Sequence, residues 1–265
     1  MKVRVEVKQD HLERLVGKFS PVAAVAELIW NGLDSDATEV SVEFQNNQLG
    51  RLDQIVIGDN GHGITPKRAE SFGSLGSSWK NQAVDSPGGR MLHGRSGEGR
   101  FSTFALGTHA EWTSTYKDES GFQNLTITGS VTDLGSFDVS NPSGAAAATK
   151  TGTELTISGI ESKPRSLFGD SAITRFSEIF ALYLKHYPVK IEYDGERLDP
   201  SLLEENHTTI DLPEITLSDG ATVLAKISII EWKHKAERSF LLCDVNGFPL
   251  AEKPTGIQAP GFNFT

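Results

Sequence analysis

The stretch Glu-Leu-Ile-Trp-Asn-Gly-Leu-Asp-Ser-Asp-Ala at residues 27–37 decides how this chain is organised. Ser20 followed by Pro21 supplies an N-cap and a proline at the first helical position, which predicts that a helix begins just before the stretch. Apolar residues then recur at helical spacing, at Val22, Val25, Ala26, Ile29 and Leu33. The sequence therefore predicts a helix that buries this face.

A second stripe of polar residues runs along the same predicted helix. Glu27, Asn31 and Asp34 are spaced four and three residues apart, so they point to the same side. Such a stripe is ordinarily a solvated surface, but Trp30 and Leu28 beside it leave little of the helix polar, which favours a cleft. A glutamate in a cleft could activate water as a general base, and an asparagine amide oxygen could bind a hard metal ion.

Composition bounds the class of protein. With 265 residues, the chain has room for one large or two modest domains. The formal net charge of -10 argues against an extensive nucleic-acid-binding face. The single cysteine, Cys243, excludes an intramolecular disulfide and fits a reducing compartment. Because we find neither a long apolar run nor a signal-peptide core, we expect a cytoplasmic protein with no membrane association.

The periodicity of the remaining chain predicts an α+β fold, a mixed sheet covered by helices on one face. Helices are expected at 65–72 and 172–184, and residues 73–99 form a long Gly- and Ser-rich loop. A soft domain boundary is placed near Asn206, giving domains 1–205 and 206–265. Alternating apolar residues predict strands at 2–7, 40–44, 54–57, 110–116, 124–131, 152–157, 189–193, 224–230 and 240–245.

Two glycine-rich segments are candidates for ligand binding. Residues 59–63, Asp-Asn-Gly-His-Gly, follow a predicted strand, and the carboxylate of Asp59 could accept from an exocyclic amine while the glycines admit a flat ring. The same residues are also those of an ordinary turn. Residues 94–99, Gly-Arg-Ser-Gly-Glu-Gly, lead into a predicted helix from Phe101, whose N-terminus could hold phosphate, although a flexible loop joined to a core helix has the same pattern.

Together, in order, these segments resemble the superfamily of gyrase, heat-shock chaperone, histidine kinase and MutL (GHKL) ATPases. Residues 27–34 match its first motif, closest to the MutL and MORC versions, and residues 59–63 match the second. Residues 94–99 are similar to the third motif, and residues 152–155, Gly-Thr-Glu-Leu, to the fourth. The resemblance covers roughly residues 1–205. It implies a Bergerat-type ATP-binding α/β sandwich and slow, magnesium-dependent ATP hydrolysis that gates a conformational or dimerisation switch.

The resemblance also implies roles for single residues. Glu27 would be the general base, Asn31 the Mg²⁺ ligand, and Asp59 the acceptor for the adenine amino group, supported by Thr153. Gly61 and Gly63 would floor the adenine pocket, and Lys80 is similar to a catalytic lid lysine. The other residues that would contact the nucleotide are Asp34, Gly94, Ser96, Gly97, Glu98, Gly99, Arg100 and Phe101.

Two other functions stay open on the sequence. One is phosphotransfer of the histidine-kinase type, and the other is a nucleotide-dependent binding module or chaperone with little hydrolysis. Residues 206–265 resemble the start of the transducer domain of MutL and MORC relatives, so the chain is expected to act within a larger protein. The resemblance further implies an ATP-dependent homodimer, a protein or nucleic-acid partner bound elsewhere, and a lid at residues 73–99 that orders on ATP.

Overall fold

The computed structural model describes residues 9–73, 85–90, 92–93 and 98–234, together with the backbone of 240–243 and 249–253. The chain divides into two compact units, residues 1–176 with 188–198 and residues 177–187 with 199–265. The boundary predicted near Asn206 for a transducer-like domain stays a prediction. The expected strand at 2–7 lies outside the described residues.

The first unit contains the helices and the large sheet. Its helices are α1 Gln9–Val16, α2 Pro21–Asp34 and α3 Pro66–Ala69, with 3-10 helices at Glu70–Gly73, Gly99–Ala105 and Arg165–Leu167. Its strands are β1 Glu39–Asn46, β2 Leu52–Asp59, β3 His109–Asp118, β4 Gly121–Ser130, β5 Asp133–Val139, β6 Ser143–Gly144, β7 Gly152–Ser158, β8 Lys190–Tyr193 and β9 Glu196–Arg197. Helix α4, Asp170–His186, begins in this unit and ends in the other.

Within the described residues, nine strands form one mixed sheet. Its order is β5-β4-β3-β7-β2-β1-β8-β9, with β6 paired to β4. The pair β1 and β8 is parallel, and the other neighbours are antiparallel. The predicted α+β class and mixed sheet are confirmed.

One face of this sheet carries the core. Along β3, the side chains of Ala110, Trp112, Ser114 and Tyr116 are buried, and the residues between them are more exposed. Helix α2 packs against β1 and β2 and the 3-10 helix Gly99–Ala105, while α1 packs against β5. The strand alternation therefore turns one face toward the helices, as expected for a half-covered sheet.

Helix α1 and strand β5 are among the elements that the sequence analysis did not predict. Helix α1 has only eight residues, and β5 has a weak alternation in which Leu134 is the one buried residue. Their pairing depends on a long-range contact, because Gln9 donates to the carbonyl oxygen of Val131 at 2.9 Å and accepts from the Leu134 amide at 3.0 Å. Tertiary hydrogen bonds of this kind leave no local signature.

The second unit is built on antiparallel pairs. Strands β10 Glu204–Asp211 and β13 Lys226–Trp232 pair, as do β11 Ile215–Thr216 with β12 Thr222–Val223 and β14 Phe240–Cys243 with β15 Pro249–Lys253. A 3-10 helix at Pro200–Leu202 precedes them. Inside this unit, Lys185 at the end of α4 pairs with Glu204 at 2.6 Å.

No helix in the described part of the chain is long and apolar enough to span a membrane.

Candidate active site

Helix α2 carries the polar stripe that the sequence predicted. Its N-cap is Ser20, whose hydroxyl accepts from the Ala23 amide at 3.2 Å, and Pro21 follows at the first position. Asp34 is only 2% exposed, while Glu27 and Asn31 are partly buried. The stripe therefore lies in a partly covered region instead of on an open helix surface.

Gly32 brings this helix against the end of β2. A Cβ at Gly32 would lie 3.1 Å from the Cβ of Asp59 and 3.2 Å from Cγ2 of Val40. These separations are tighter than ordinary packing, so a larger residue at this position would push the helix away from the strand. The first glycine segment, residues 27–37, thus lies against the second, residues 59–63, because α2 has a glycine at position 32.

Asp59 ends β2 in a site built to hold a carboxylate. Its Oδ1 accepts from the Gly61 amide at 2.8 Å and from the Ser35 hydroxyl at 3.3 Å. These hydrogen bonds, with one from the Thr153 backbone, favour the charged form of Asp59. Burial outweighs them and raises the pKa of Asp59 to about 6.

Asp59 belongs to a row of polar side chains across three strands. Thr153 of β7 is the register partner of Asp59 on one side and of Ser114 on the other. Ser114 is fully buried, lies 3.1 Å from the Thr153 hydroxyl, and accepts from the Ile64 amide at 2.6 Å. Sequence analysis missed Ser114. A signal existed, because it is a polar residue between the inward positions of Trp112 and Tyr116.

Both glycines after Asp59 are required by the protein's own packing. Gly63 has a φ of 74°, and a Cβ there would collide with the carbonyl oxygen of Thr115. A Cβ at Gly61 would collide with the hydroxyl of Ser35. Close backbone approach therefore explains both positions, whichever ligand binds beside them.

The carboxylate of Glu27 has two neighbours from later in the chain, His93 and Gly99. Nε2 of His93 is 3.7 Å from its Oε2, and a Cβ at Gly99 would collide with its Oε1. The His93 ring is stacked on Trp30 with centroids 4.6 Å apart, and its amide donates to Oδ1 of Asp34 at 2.8 Å. Sequence analysis did not identify His93.

Residues 94–99, here called the third glycine segment, lead into a short helix. The predicted helix after it is a 3-10 helix at Gly99–Ala105, in which Phe101 is buried. The amide of Phe101 donates to the carbonyl oxygen of Glu98 at 2.9 Å. Arg100 lies over the Phe101 ring at 4.5 Å, and burial lowers its pKa to about 10. Lys80, Gly94, Ser96 and Gly97 lie outside the described residues.

A second unpredicted cluster surrounds Asp36, just past the end of α2. Its carboxylate accepts from the Ser86 hydroxyl, from the Gly88 amide at 2.8 Å, and lies 2.8 Å from Nε2 of His62. Burial would raise the pKa of Asp36, but these hydrogen bonds outweigh it and lower that pKa. Arg90 completes the turn by donating to the Ala37 carbonyl at 2.7 Å.

Comparison with known proteins gives one family and two relatives. Residues 19–148 match the model of the family described as "Histidine kinase-, DNA gyrase B-, and HSP90-like ATPase". "Protein MICRORCHIDIA 4" of Arabidopsis thaliana is 38% identical over 89 residues, which are 32% of this chain and 11% of that protein. "Putative type II restriction enzyme HgiDII" of Herpetosiphon aurantiacus is 35% identical over 86 residues, 32% of this chain and 13% of that protein. The chain thus matches only a small part of either relative's length.

Proposed function

We propose that this chain binds ATP with Mg²⁺ and hydrolyses it slowly, as the nucleotide-gated switch of a larger protein. Its residues 19–148 match the model of the histidine kinase-, DNA gyrase B- and HSP90-like ATPase family. The family supports ATP binding and hydrolysis in general. The residue roles, the metal ion and the switch are the proposal. They rest on the contacts that Glu27 and Gly32 of α2 make.

One observation carries the proposal: helix α2 carries the candidate base, Glu27, and packs closely against the candidate purine acceptor, Asp59, at Gly32. Glu27 contacts Gly99 at the start of the 3-10 helix, and Gly32 contacts Asp59 at the end of β2. These two positions of α2 are about 7 Å apart along the helix axis. One ligand lying along the helix could therefore reach both carboxylates.

The purine end fits an amino group. An ionised carboxylate has about four acceptor sites, so the donors from Gly61 and Ser35 leave Asp59 able to accept from a ligand. Thr153 and Ser114 hold the strand ends beside it through their hydroxyl contact. Adenine carries an exocyclic amino group where guanine has a carbonyl oxygen, which favours ATP as the ligand.

The phosphate end fits a metal-assisted reaction. Among the described residues, no group of three or more His, Cys, Asp and Glu side chains could hold a metal ion by itself. Mg²⁺ commonly takes one or two protein ligands together with substrate phosphates and water, and the partly buried Asn31, one turn from Glu27, provides an amide oxygen. Bound Mg²⁺ would supply charge neutralisation to the phosphate oxygens.

The carboxylate of Glu27 is the general base of the proposed reaction. In the proposed reaction it accepts the proton of the attacking water, and a well-placed general base contributes about 10²- to 10⁴-fold in rate. Backbone N-H groups from Glu98 to Arg100, together with Lys80, would stabilise charge on the phosphoryl group, whereas the Phe101 amide is paired with the carbonyl oxygen of Glu98.

The proposal is tested by replacing Glu27 with glutamine, which keeps the shape and removes the base. In Glu27→Gln, ATP hydrolysis should fall about 100-fold or more while ATP still binds in calorimetry, and Asn31→Ala should weaken both. Glu43→Gln, on an exposed residue of β1, is the matched control and should hydrolyse like the parent. A parent-like rate in Glu27→Gln would remove Glu27 from the role of base.

The switch is tested separately by assembly. A non-hydrolysable ATP analogue should convert the protein from monomer to dimer in sedimentation, and ADP should do so less well, because ADP lacks the terminal phosphate that would face Glu27. A single oligomeric state in the apo, ADP and analogue-bound samples would contradict the switch while leaving hydrolysis untouched.

A further inference from the structure

We infer that His93 is a positioning residue for the Glu27 carboxylate, holding one of its oxygens so that the other faces the start of the 3-10 helix Gly99–Ala105. This inference rests on the proposed function, in which Glu27 is the base. His93 belongs to the loop between the second and third glycine segments and lies far from Glu27 in sequence.

The two oxygens of Glu27 have different neighbours. Oε2 lies 3.7 Å from Nε2 of His93, while Oε1 is the atom that a Cβ on Gly99 would strike. Oε1 therefore faces Gly99, at the start of the 3-10 helix where the proposed function puts the phosphates. A donor on the Oε2 side fixes the rotation of the carboxylate, as the third member of a nucleophile-base-orienter set does.

The His93 side chain is itself fixed by α2. Its ring is stacked on Trp30 with an interplanar angle of 15°, and its amide donates to the buried Oδ1 of Asp34. Glu27, Trp30 and Asp34 follow one another at three and four residues, so they share one side of the helix. Three successive turns of α2 thus contact one histidine through its ring nitrogen, ring face and backbone amide.

The 3.7 Å separation is longer than a hydrogen bond, whose N···O distance is about 2.7–3.2 Å. Catalytic hydrogen bonds are often long in ligand-free proteins and shorten in the reacting complex. A shift of less than about 1 Å would bring Nε2-H into hydrogen-bonding range of Oε2. Because the backbone amide of His93 stays on Asp34, this shift requires only a small movement of the carboxylate or the ring.

Two substitutions separate the ring nitrogen from the ring face. His93→Phe keeps an aromatic ring to stack on Trp30 and the backbone amide for Asp34, and removes only the donor. His93→Gln restores a donor and loses the stacking. We expect kcat for ATP hydrolysis to fall about tenfold in His93→Phe with KM within twofold of the parent, and to recover partly in His93→Gln.

The control is the same change elsewhere. His109→Phe removes an exposed histidine whose Nδ1 contacts Thr108 at 2.9 Å at the start of β3, and it should leave kcat and KM unchanged. Equal thermal unfolding of the three variants shows that the kcat loss is not loss of fold. A parent-like kcat in His93→Phe overturns the inference.

A second readout needs no turnover. In protein labelled with ¹⁵N-histidine, the ring signals of His93 are those that disappear in His93→Phe. Glu27→Gln should shift them, because it removes the charge beside Nε2, whereas Glu43→Gln should not. Ring signals of His93 that are identical in Glu27→Gln and the parent overturn the inference, whatever the hydrolysis rate.

The two proposals fail in different ways. If Glu27→Gln hydrolyses ATP like the parent, the proposed function fails, and the ring signals alone then decide whether His93 and Glu27 form a pair. If Glu27→Gln is inactive and His93→Phe is fully active, Glu27 remains the base and His93 has no positioning role.

Discussion

The proposed ATP site has a purine end at Asp59 and a reaction end at Glu27, and the two are built in different ways. At the purine end, Asp59, Thr153 and Ser114 are neighbours because the hydrogen-bond register of three antiparallel strands makes them so. At the reaction end, Glu27 meets His93 and Gly99, which come from a loop and the start of a 3-10 helix. The purine end is fixed by the sheet, whereas the reaction end depends on where a loop packs.

This difference predicts different consequences for mutation. Backbone hydrogen bonds hold neighbouring strands in register, so a side-chain change at the purine end should alter affinity and leave the rate of the bound complex nearly intact. At the reaction end, a displacement of about 1 Å can cost on the order of 10²-fold in rate. Changes there should alter kcat and leave affinity nearly intact.

The largest effect is expected for Gly99→Ala. The added Cβ would collide with Oε1 of Glu27 and press on its Cδ and Cγ, so the carboxylate must move away from residue 99. We expect kcat to fall about 100-fold, the lower range for loss of a placed base, with ATP affinity changed less than tenfold. Gly144→Ala, with nothing near its added Cβ, is the control in the same assay. A loss of affinity without loss of kcat would reverse the comparison.

A smaller effect, on binding, is expected for Asp59→Asn. The asparagine oxygen can still accept from Gly61 and Ser35, but its NH₂ group then faces the amino group of adenine, and two donors cannot pair. An unpaired polar group costs about 1–3 kcal/mol, so ATP affinity should fall about 10- to 100-fold in calorimetry. The parent should prefer ATP to GTP, and the variant should lose that preference. Asp53→Asn, exposed on the same strand, should bind as the parent does.

The same variant should be more stable than the parent at neutral pH. The pKa of Asp59 is raised from 3.8 to about 6 by burial, so its stabilising contribution is complete below pH 4 and is lost as pH rises through 6. Asparagine has no charge to bury. In urea unfolding at pH 7.5, Asp59→Asn should gain up to about 3 kcal/mol, and the gain should shrink toward pH 4. Equal stability of both proteins at pH 7.5 would show that the carboxylate is not strained by burial.

These contrasts also explain what the sequence could predict. The cap at Ser20, the stripe on α2 and the alternation of β3 are local patterns, so the helix, the strands and the fold class followed from them. The partners His93 and Ser86 had no such signature. His93 is fixed by stacking and a backbone hydrogen bond to α2, and Ser86 by the Asp36 carboxylate, and both contacts are made only after the chain folds.

The loop at residues 73–99 is predicted to order on ATP, and one described part of it, residues 85–90, makes hydrogen bonds to α2 and to itself. Ser86 and Gly88 donate to Asp36, and the amide of Arg90 donates to the Ser86 hydroxyl at 2.9 Å. These contacts join the turn at residues 85–90 to the end of α2 through donors and acceptors that all belong to the protein.

The smallest expected effect concerns this turn. In the apo protein, the amides of Gly88 and Arg90 should exchange slowly, and ADP or a non-hydrolysable ATP analogue should not slow them further, because their acceptors belong to the protein. Ser86→Ala removes a hydrogen bond worth about 1 kcal/mol, so the Arg90 amide should exchange about fivefold faster in hydrogen-exchange mass spectrometry. Ser136→Ala, on the exposed strand β5, is the control. If an ATP analogue protects Gly88 and Arg90 as strongly as other amides of the loop, the turn moves with the nucleotide, and the loop has no fixed point at Asp36.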